Sequence, residues 1–493
     1  MNRRAEEHPM QTALLSVAQM TAADRAAIAA GIPGVLLMQN AGSAVAREVA
    51  RRWSSRPVTI LCGPGNNGGD GFVAAATLAK DGWPVRVALF GRKEDLSGDA
   101  LLVSKLWTGG VEAMTPVAIE GSAIVIDALF GSGLNRALDG PVADTLNACG
   151  QRRLPLVAID VPSGVMGDTG ASVGAAQAAC TVTFARKKPG HVLFPGRALC
   201  GEVVVADIGI PSGVFDSLGI DTWENAPSLW LAQLPRAESA GNKYTRGHAL
   251  LCGGYPMTGA ARMAARAAAR VGAGLTTIAV PEIAFPVYAA ALTSIMVQPL
   301  AQHSDLTRLL SDSRYTAFLI GPGAGVNAAT RGTALDLLAT RRPVLLDADA
   351  ITVFASKAAD LKEAIRGPCI MTPHEGEFAR VFDVRGDKLG RARAAARQSG
   401  AVIVLKGADT VIAAPDGRAI VNTNAPASLA TAGSGDVVGG LILGLLTQGM
   451  DAFLAAAAGV WIHGAAAASF GPGLLAEDLP DLVPAVLRTL EHE

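Results

Sequence analysis

The sequence predicts two α/β domains, each built on a mainly parallel sheet with helices on both faces. Three observations lead there. Short, fully apolar runs of strand length recur along the 493 residues, separated by amphipathic or alanine-rich stretches, the pattern of strands buried on both faces. Half of the residues are hydrophobic (50%), yet aromatics make up 5% and glycines number 56, which favours close-packed layers of small side chains. The chain is too long for one ordinary core, and its periodicity lapses once, over residues 212–240, where Trp223, Asn225, Pro227 and Pro235 follow no pattern. A boundary near Thr222 gives domains 1–222 and 223–493.

In the first domain the runs 58–62, 85–90, 123–126, 156–159 and 182–184 read as strands, and the alternating run 203–206 follows before Asp207-Ile208-Gly209-Ile210-Pro211. A helix over 72–80 follows the glycine-rich turn behind the first strand. In the second domain the strands are 249–252, 276–280, 317–320, 344–346, 369–371 and 402–405. Ligands of such sheets bind beyond the carboxyl ends of the strands. Most of the distinctive polar and glycine-rich clusters fall there.

Composition narrows the function classes. Formal net charge is −1 with no basic tract, so nucleic acid is not an expected partner. The longest apolar stretch, 437–446, is broken by glycines and ends at Thr447-Gln448-Gly449, too short to cross a bilayer. Arg3 and Arg4 are followed by no apolar core, which argues against a secretion signal. The cysteines at 62, 149, 180, 200, 252 and 369 form no C-x-x-C pair, and read as reduced, buried thiols of a cytoplasmic protein.

The chemistry clusters at strand ends. Gly63-Pro64-Gly65-Asn66-Asn67-Gly68-Gly69-Asp70-Gly71 lies between a strand and a helix and satisfies G-x-G-x-x-G. The acidic residue of the dinucleotide mode is missing, because Phe90 runs into Gly91-Arg92-Lys93; a phosphate-binding turn still fits. Asp127 and Asp160 each end a strand and precede a glycine-rich turn, Gly131-Ser132-Gly133 and Ser163-Gly164 respectively. Two such carboxylates are hard to explain as surface decoration, helix capping being the lesser alternative for either. In the second domain, Gly433-Ser434-Gly435-Asp436 opens an apolar, helix-like run. Free N–H groups there suit a phosphate, and a carboxylate in the same turn can take the proton of an attacking hydroxyl. No G-x-x-x-x-G-K-[ST] occurs, which excludes a P-loop.

In order, Gln19-Met20-Thr21-Ala22-Ala23-Asp24-Arg25, Leu37-Met38-Gln39-Asn40-Ala41-Gly42, the Asn66–Asp70 cluster, the Asp127 turn, Asp160-Val161-Pro162-Ser163-Gly164 and Lys188-Pro189-Gly190 resemble the NAD(P)H-hydrate epimerase domain across residues 10–215. The resemblance implies a Rossmann-like three-layer sandwich. It also implies that Asn66, Asn67, Gly68, Gly69 and Asp70, with Gly131, Ser132, Gly133, Leu134, Asn135, Arg136 and Ala137, line the hydrate site. Asn67, Asp127 and Ser163 would hold potassium, for which oxygen-only ligands are suited, and Asp160 would contact substrate as the acid/base. Val165-Met166-Gly167 departs from the usual pattern, which touches pocket shape.

Downstream, Thr258-Gly259-Ala260, Gly321-Pro322-Gly323, Asp347-Ala348-Asp349-Ala350, Thr372-Pro373-His374-Glu375-Gly376-Glu377, Lys406-Gly407-Ala408-Asp409-Thr410 and the Asp436 turn resemble the ribokinase-like superfamily, and within it the ADP- or ATP-dependent NAD(P)H-hydrate dehydratases, over about 225–490. By that resemblance Ala260, Gly323, His374 and Asp436 face the hydrate, while Lys406, Gly407, Ala408, Asp409, Thr410 and Gly435 face the nucleotide. Asn242 stands where a histidine is common and is given no role. Both resemblances imply repair of hydrated NADH and NADPH. One half would epimerise the R and S hydrates; the other would dehydrate the S hydrate by phosphorylation and phosphate elimination, with Mg²⁺ and ADP or ATP. A homo-oligomer is expected. The alternative is a ribokinase-like small-molecule kinase carrying a non-catalytic ligand-binding module.

Overall fold

The computed structural model describes residues 9–134, 136–236, 239–355 and 357–491, which resolve into two compact units, residues 10–222 and the chain from Trp223 onward. In the first unit, β1 (Val58–Cys62), β2 (Val85–Leu89), β3 (Val111–Ala113), β4 (Ile124–Ala128), β5 (Leu156–Ile159), β6 (Cys180–Phe184) and β7 (Glu202–Ala206) form one sheet in the order β3-β2-β1-β4-β5-β6-β7. Every ladder is parallel. Strands β1, β4, β5 and β6 are buried along their whole length, as mainly apolar strands are when helices cover both faces; Thr59, Asp127, Thr181 and Thr183 are the polar residues buried with them.

The order reverses at β1. Its left neighbour is β2 and its right neighbour β4, so the chain leaves β1 and β4 on opposite sides of a crevice. Close approach is enforced there: a Cβ added to Gly63 would lie 1.8 Å from the Leu129 carbonyl oxygen. Helices α1 (Val17–Ala29), α2 (Gly34–Arg52) and α3 (Asn66–Lys80) stand near this end. Ser16 caps α1 through a reciprocal box with Gln19. Helix α3 starts at Asn66 rather than at residue 72, so the Asn-Asn-Gly-Gly-Asp segment is its first turn and not a loop.

The second unit repeats the plan with a mixed sheet. Its strands are β8 (Thr222–Glu224), β9 (His248–Cys252), β10 (Leu275–Pro281), β11 (Met296–Leu300), β12 (Tyr315–Ile320), β13 (Val344–Leu346), β14 (Cys369–Met371), β15 (Val402–Leu405), β16 (Val411–Ala413) and β17 (Ala419–Val421). The order is β11-β10-β9-β12-β13-β14-β15-β16-β17-β8, with β15, β16 and β17 antiparallel. The reversal falls between β9 and β12, where a Cβ on Gly254 would meet the Gly323 carbonyl oxygen at 1.7 Å.

The aperiodic stretch after residue 222 is an integral part of this unit. The buried Asn225 amide donates to Asn422 Oδ1 (2.9 Å) and to the Ala457 carbonyl (2.8 Å), and accepts from Trp230 Nε1 (3.1 Å). The helix Ala452–Phe470 is a longer apolar segment than the 437–446 stretch that the sequence singles out. Among the described residues it alone has the length and hydropathy of a membrane span, and 67% of its apolar window is buried inside the unit. A buried core helix meets the same criteria. All six cysteines are free and buried.

Candidate functional sites

The first site is a cavity of about 630 Å³ at the β1/β4 reversal, lined from α1, α2, the start of α3 and the loops after β4, β5 and β6. Asn66, Asn67, Asp70, Gly131, Ser132, Gly133, Leu134, Arg136 and Asp160 line it. Gly68, Gly69 and Ala137 do not. The two glycines serve packing instead: a Cβ would strike the Gly63 carbonyl oxygen at 1.9 Å or Met38 Sδ at 2.5 Å. Asn135 lies outside the described residues.

Asp160 is held by the backbone as well as by its partners. Its φ is +68°, and Val161 N–H donates to the Ile159 carbonyl across it at 2.9 Å. This is the rarer, positive-φ γ-turn, strained for a residue with a side chain. The neighbouring strand end has the same device at Ala185 (φ +59°), where Arg186 N–H reaches the Phe184 carbonyl at 2.6 Å. The Asp160 carboxylate accepts from Lys188 Nζ (2.6 Å), the Thr183 hydroxyl (3.1 Å) and Ser132 N–H (3.0 Å). Burial alone would raise this carboxyl; the Lys188 ammonium overrides burial and holds it well below the ordinary range.

His191 ties the pair together. Its Nδ1 accepts from Lys188 N–H (2.8 Å), leaving Nε2–H to donate to the Asp160 carbonyl (2.7 Å). Burial and the Lys188 charge push its pKa down to about 4, so the ring is neutral. Asp24 and Asp70 share the cavity. Burial drives both upward, Asp24 to about 6, with Asp160 adding to each and Lys188 opposing at Asp24. Asp24 and Lys188 lie within the motifs that carry the resemblance, which assigns neither a role. The signal was spacing: Val17, Met20, Thr21, Asp24 and Ile28 form one helical face.

Asp127 and Ser163 sit behind this wall. Ser163 donates from Oγ to Asp127 Oδ1 (2.6 Å) and from N–H to Oδ2 (2.8 Å), and Leu129 N–H adds a third bond at 3.2 Å. Asp127 is 1% exposed and its carboxyl is raised by burial, and among the described residues no cationic side chain is hydrogen-bonded to it. Asn67 Nδ2 is buried and has no hydrogen-bond partner among the described residues.

The second site forms beyond β13, β14 and β15. Gly433, with φ +89°, delivers the chain into the Ser434–Thr447 helix, and Asp436 occupies its first turn. Lys406, just past β15, reaches Asp347 Oδ1 at 2.9 Å, and a Cβ on Gly435 would lie 3.3 Å from the same ammonium. Asp436 is pushed up to about 7 by burial and the Asp347 charge, against the pull of Lys406. Lys406 stays charged: burial opposes its proton, but Asp347 and Glu377 outweigh it. Between Asp347 and Asp349, Ala348 adopts φ +47°, ψ −116°, strained for a residue with a Cβ. Asp349 Oδ2 accepts from Gly325 N–H (2.8 Å).

Other residues of this set have structural duties. His374 caps the Glu375–Val381 helix, Nδ1 accepting from Gly376 N–H (2.9 Å), while Glu377 returns a bond to His374 N–H (2.8 Å). Its ring stays exposed. Asp409 pairs with Lys388 at 2.6 Å, and Thr410 closes a turn on Gly407. Gly407 and Ala408 are exposed, and Ala260 and Gly323 half-buried.

Comparison with known proteins matches residues 35–190 to the YjeF-related protein N-terminus and residues 248–482 to NAD(P)H-hydrate dehydratase. A ribokinase-like superfamily protein of Enterococcus faecalis is 24% identical with a TM-score of 0.50, over 55% of this chain and 96% of that one, which shows the ribokinase-like fold. The bifunctional NAD(P)H-hydrate repair enzymes Nnr of Salinibacter ruber and Moorella thermoacetica are 36% and 38% identical, covering 96% and 97% of this chain and the same shares of their own. Likeness at that level through both halves at once shows the family: the chain belongs to the bifunctional NAD(P)H-hydrate repair enzymes, with an epimerase and a dehydratase in one polypeptide.

Proposed function

We propose that the 10–222 unit interconverts the R and S hydrates of NADH and NADPH, and that the second unit dehydrates the S hydrate with ADP or ATP as phosphoryl donor. The observation that carries this is Asp436: a carboxyl with a pKa of about 7, in the first turn of a helix, facing a lysine-neutralised carboxylate. A general base works best with its pKa near the working pH. Asp436 takes the proton of the hydrate's hydroxyl as that oxygen attacks the terminal phosphorus and the nucleotide leaves. Lys406, beside Gly435 at the mouth of the turn, counters the charge that collects there. The ring-nitrogen lone pair then expels phosphate, and loss of a ring proton restores the dihydronicotinamide.

Two ions suit the residues. Among the described residues no three carboxylates gather into a preformed cation cluster, but Asp436, raised by burial and by the nearby Asp347, Asp349 and Glu377 charges, is a hard oxygen ligand of the kind Mg²⁺ prefers and would be relieved by added positive charge; bound there, Mg²⁺ would screen phosphate charge. Asn67, Asp127 and Ser163 each carry a side-chain oxygen, the Asp127 carboxylate among them being buried and held by Ser163 and Leu129 rather than by a cation among the described residues, and potassium would neutralise it. In the epimerase cavity Asp160, kept ionised by Lys188, supplies a fixed negative charge to the reacting ring. Purified protein given mixed hydrate epimers, with ADP and ATP supplied separately, should restore the dihydronicotinamide absorbance with at least one nucleotide. A stable phosphorylated product without that recovery would favour a small-molecule kinase.

A further inference from the structure

We infer that Asp24 is the proton donor of the epimerase cavity, acting across the bound ring from the Asp160–Lys188 pair. The inference rests on the epimerase reading above and supplies what that reading lacks. A hydroxyl leaves carbon far more readily as water than as hydroxide, so epimerisation at the hydroxyl-bearing carbon needs an acid. Asp160 is unsuited to that part. It carries three hydrogen bonds to its carboxylate, one from an ammonium at 2.6 Å, and so has no proton to give.

Asp24 is placed for the task. It stands mid-helix on α1, on the face whose Val17, Met20, Thr21 and Ile28 also line the cavity. Among the described residues its carboxyl makes no hydrogen bond or ion pair, so it neither caps a helix nor staples the fold. A half-buried carboxyl on an apolar stripe, aimed into a ligand-sized cavity, costs stability that local structure does not recover. The charged groups that share the cavity are Asp160 and Lys188 from the ends of β5 and β6, Asp70 from α3, and Asp99 and Arg136 from its rim. Among them Asp24 rises to about 6 while Asp160 falls. Two carboxyls driven apart by their surroundings are the mark of an acid and its ionised partner.

Asp24 transfers its proton to the departing oxygen as the carbon–oxygen bond breaks, and water leaves. The ring-nitrogen lone pair becomes the second carbon–nitrogen bond, and the resulting cation faces ionised Asp160. Water then adds to the opposite face of the same carbon, the π pair returns to nitrogen, and the surplus proton goes back to the Asp24 carboxylate, directly or through a second water.

The test uses the full-length chain and the rate of R/S interconversion, corrected for the solution rate, across pH 5 to about 8. In the wild type kcat/KM should fall as pH rises through about 6, the pKa of Asp24. Asp24→Asn should lower it by roughly 10²–10⁴-fold and abolish that limb, with dehydration of the S hydrate unchanged. Asp24→Glu should recover part of the rate. Asp24→Asn at wild-type rate, a slower Asp24→Asn that keeps the same limb, or a flat wild-type profile would each overturn the inference while leaving the epimerase intact. Absence of any wild-type epimerisation above the solution rate would instead remove the epimerase reading, and Asp24 with it.

Discussion

Lys188 Nζ lies 2.6 Å from Asp160 Oδ1, with the lysine side chain 2% exposed and the aspartate 14%. A buried pair of this kind is costly to break from one side, because the survivor keeps its charge without its partner. Lys188→Met should therefore destabilise the 10–222 unit by about 3–5 kcal/mol and depress epimerisation. The pH dependence has a definite sign. In the wild type the Asp160 carboxyl is lowered, so the stability from the pair is full above the ordinary aspartate range and is lost as pH falls below it. In Lys188→Met, acid relieves the unpaired carboxylate. The stability gap between the two proteins, followed by thermal unfolding, should narrow as pH drops.

Asp436→Asn preserves the shape of the turn and removes the base. Dehydration should fall by roughly 10²–10⁴-fold or more, while nucleotide still binds and R/S interconversion continues. Because the folded pKa is raised to about 7, the stability tied to this group is full below the ordinary aspartate range and declines as pH rises to about 7. That decline should be absent from the Asn variant. Near-wild-type dehydration by Asp436→Asn would end the general-base assignment.

Asp127→Ala removes the only carboxylate of the oxygen set around Asn67 and Ser163. Potassium dependence and epimerisation should weaken together, with dehydration of the S hydrate untouched. Epimerisation by the wild type that is indifferent to potassium would dispose of the ion.

Residues 1–222 and 223–493, expressed separately, should each fold and keep epimerase and dehydratase activity respectively, since each compact unit carries its own sheet and site. Loss of both activities on separation would mean that the sites depend on the joined chain.

What was legible in the sequence follows from what burial leaves behind. Strands 58–62, 156–159, 344–346, 369–371 and 402–405 coincide with the observed bounds, because strands buried on both faces leave almost continuous apolar runs, broken in these five only by Thr59. Strand β11 (Met296–Leu300) escaped, since an exposed edge tolerates Gln298 and Pro299 and so loses the signature. The start of α3 escaped because glycines read as loop, although here they are required by backbone contacts at the reversal of strand order. In the sites, carboxylates at strand ends stood out against apolar neighbours. Asp24 did not, because a lone acid in a helix looks like a solvated face until the opposite wall of the cavity is known. His374 shows the reverse case, a conspicuous residue whose observed contacts are those of a helix cap.

The Asn225 clasp has a consequence for how the chain is made. Its partners Asn422 and Ala457 lie 197 and 232 residues downstream, so strand β8 meets its neighbour β17 only after most of the second unit has left the ribosome, and the clasp closes later still, when Ala457 arrives. The first unit is complete by then and can fold alone as it emerges. The second unit must hold its early strands β9, β10 and β12 in waiting, with apolar edges unmatched, until its final helices arrive. Truncations that stop before residue 457 should therefore yield a soluble epimerase half attached to an aggregation-prone tail.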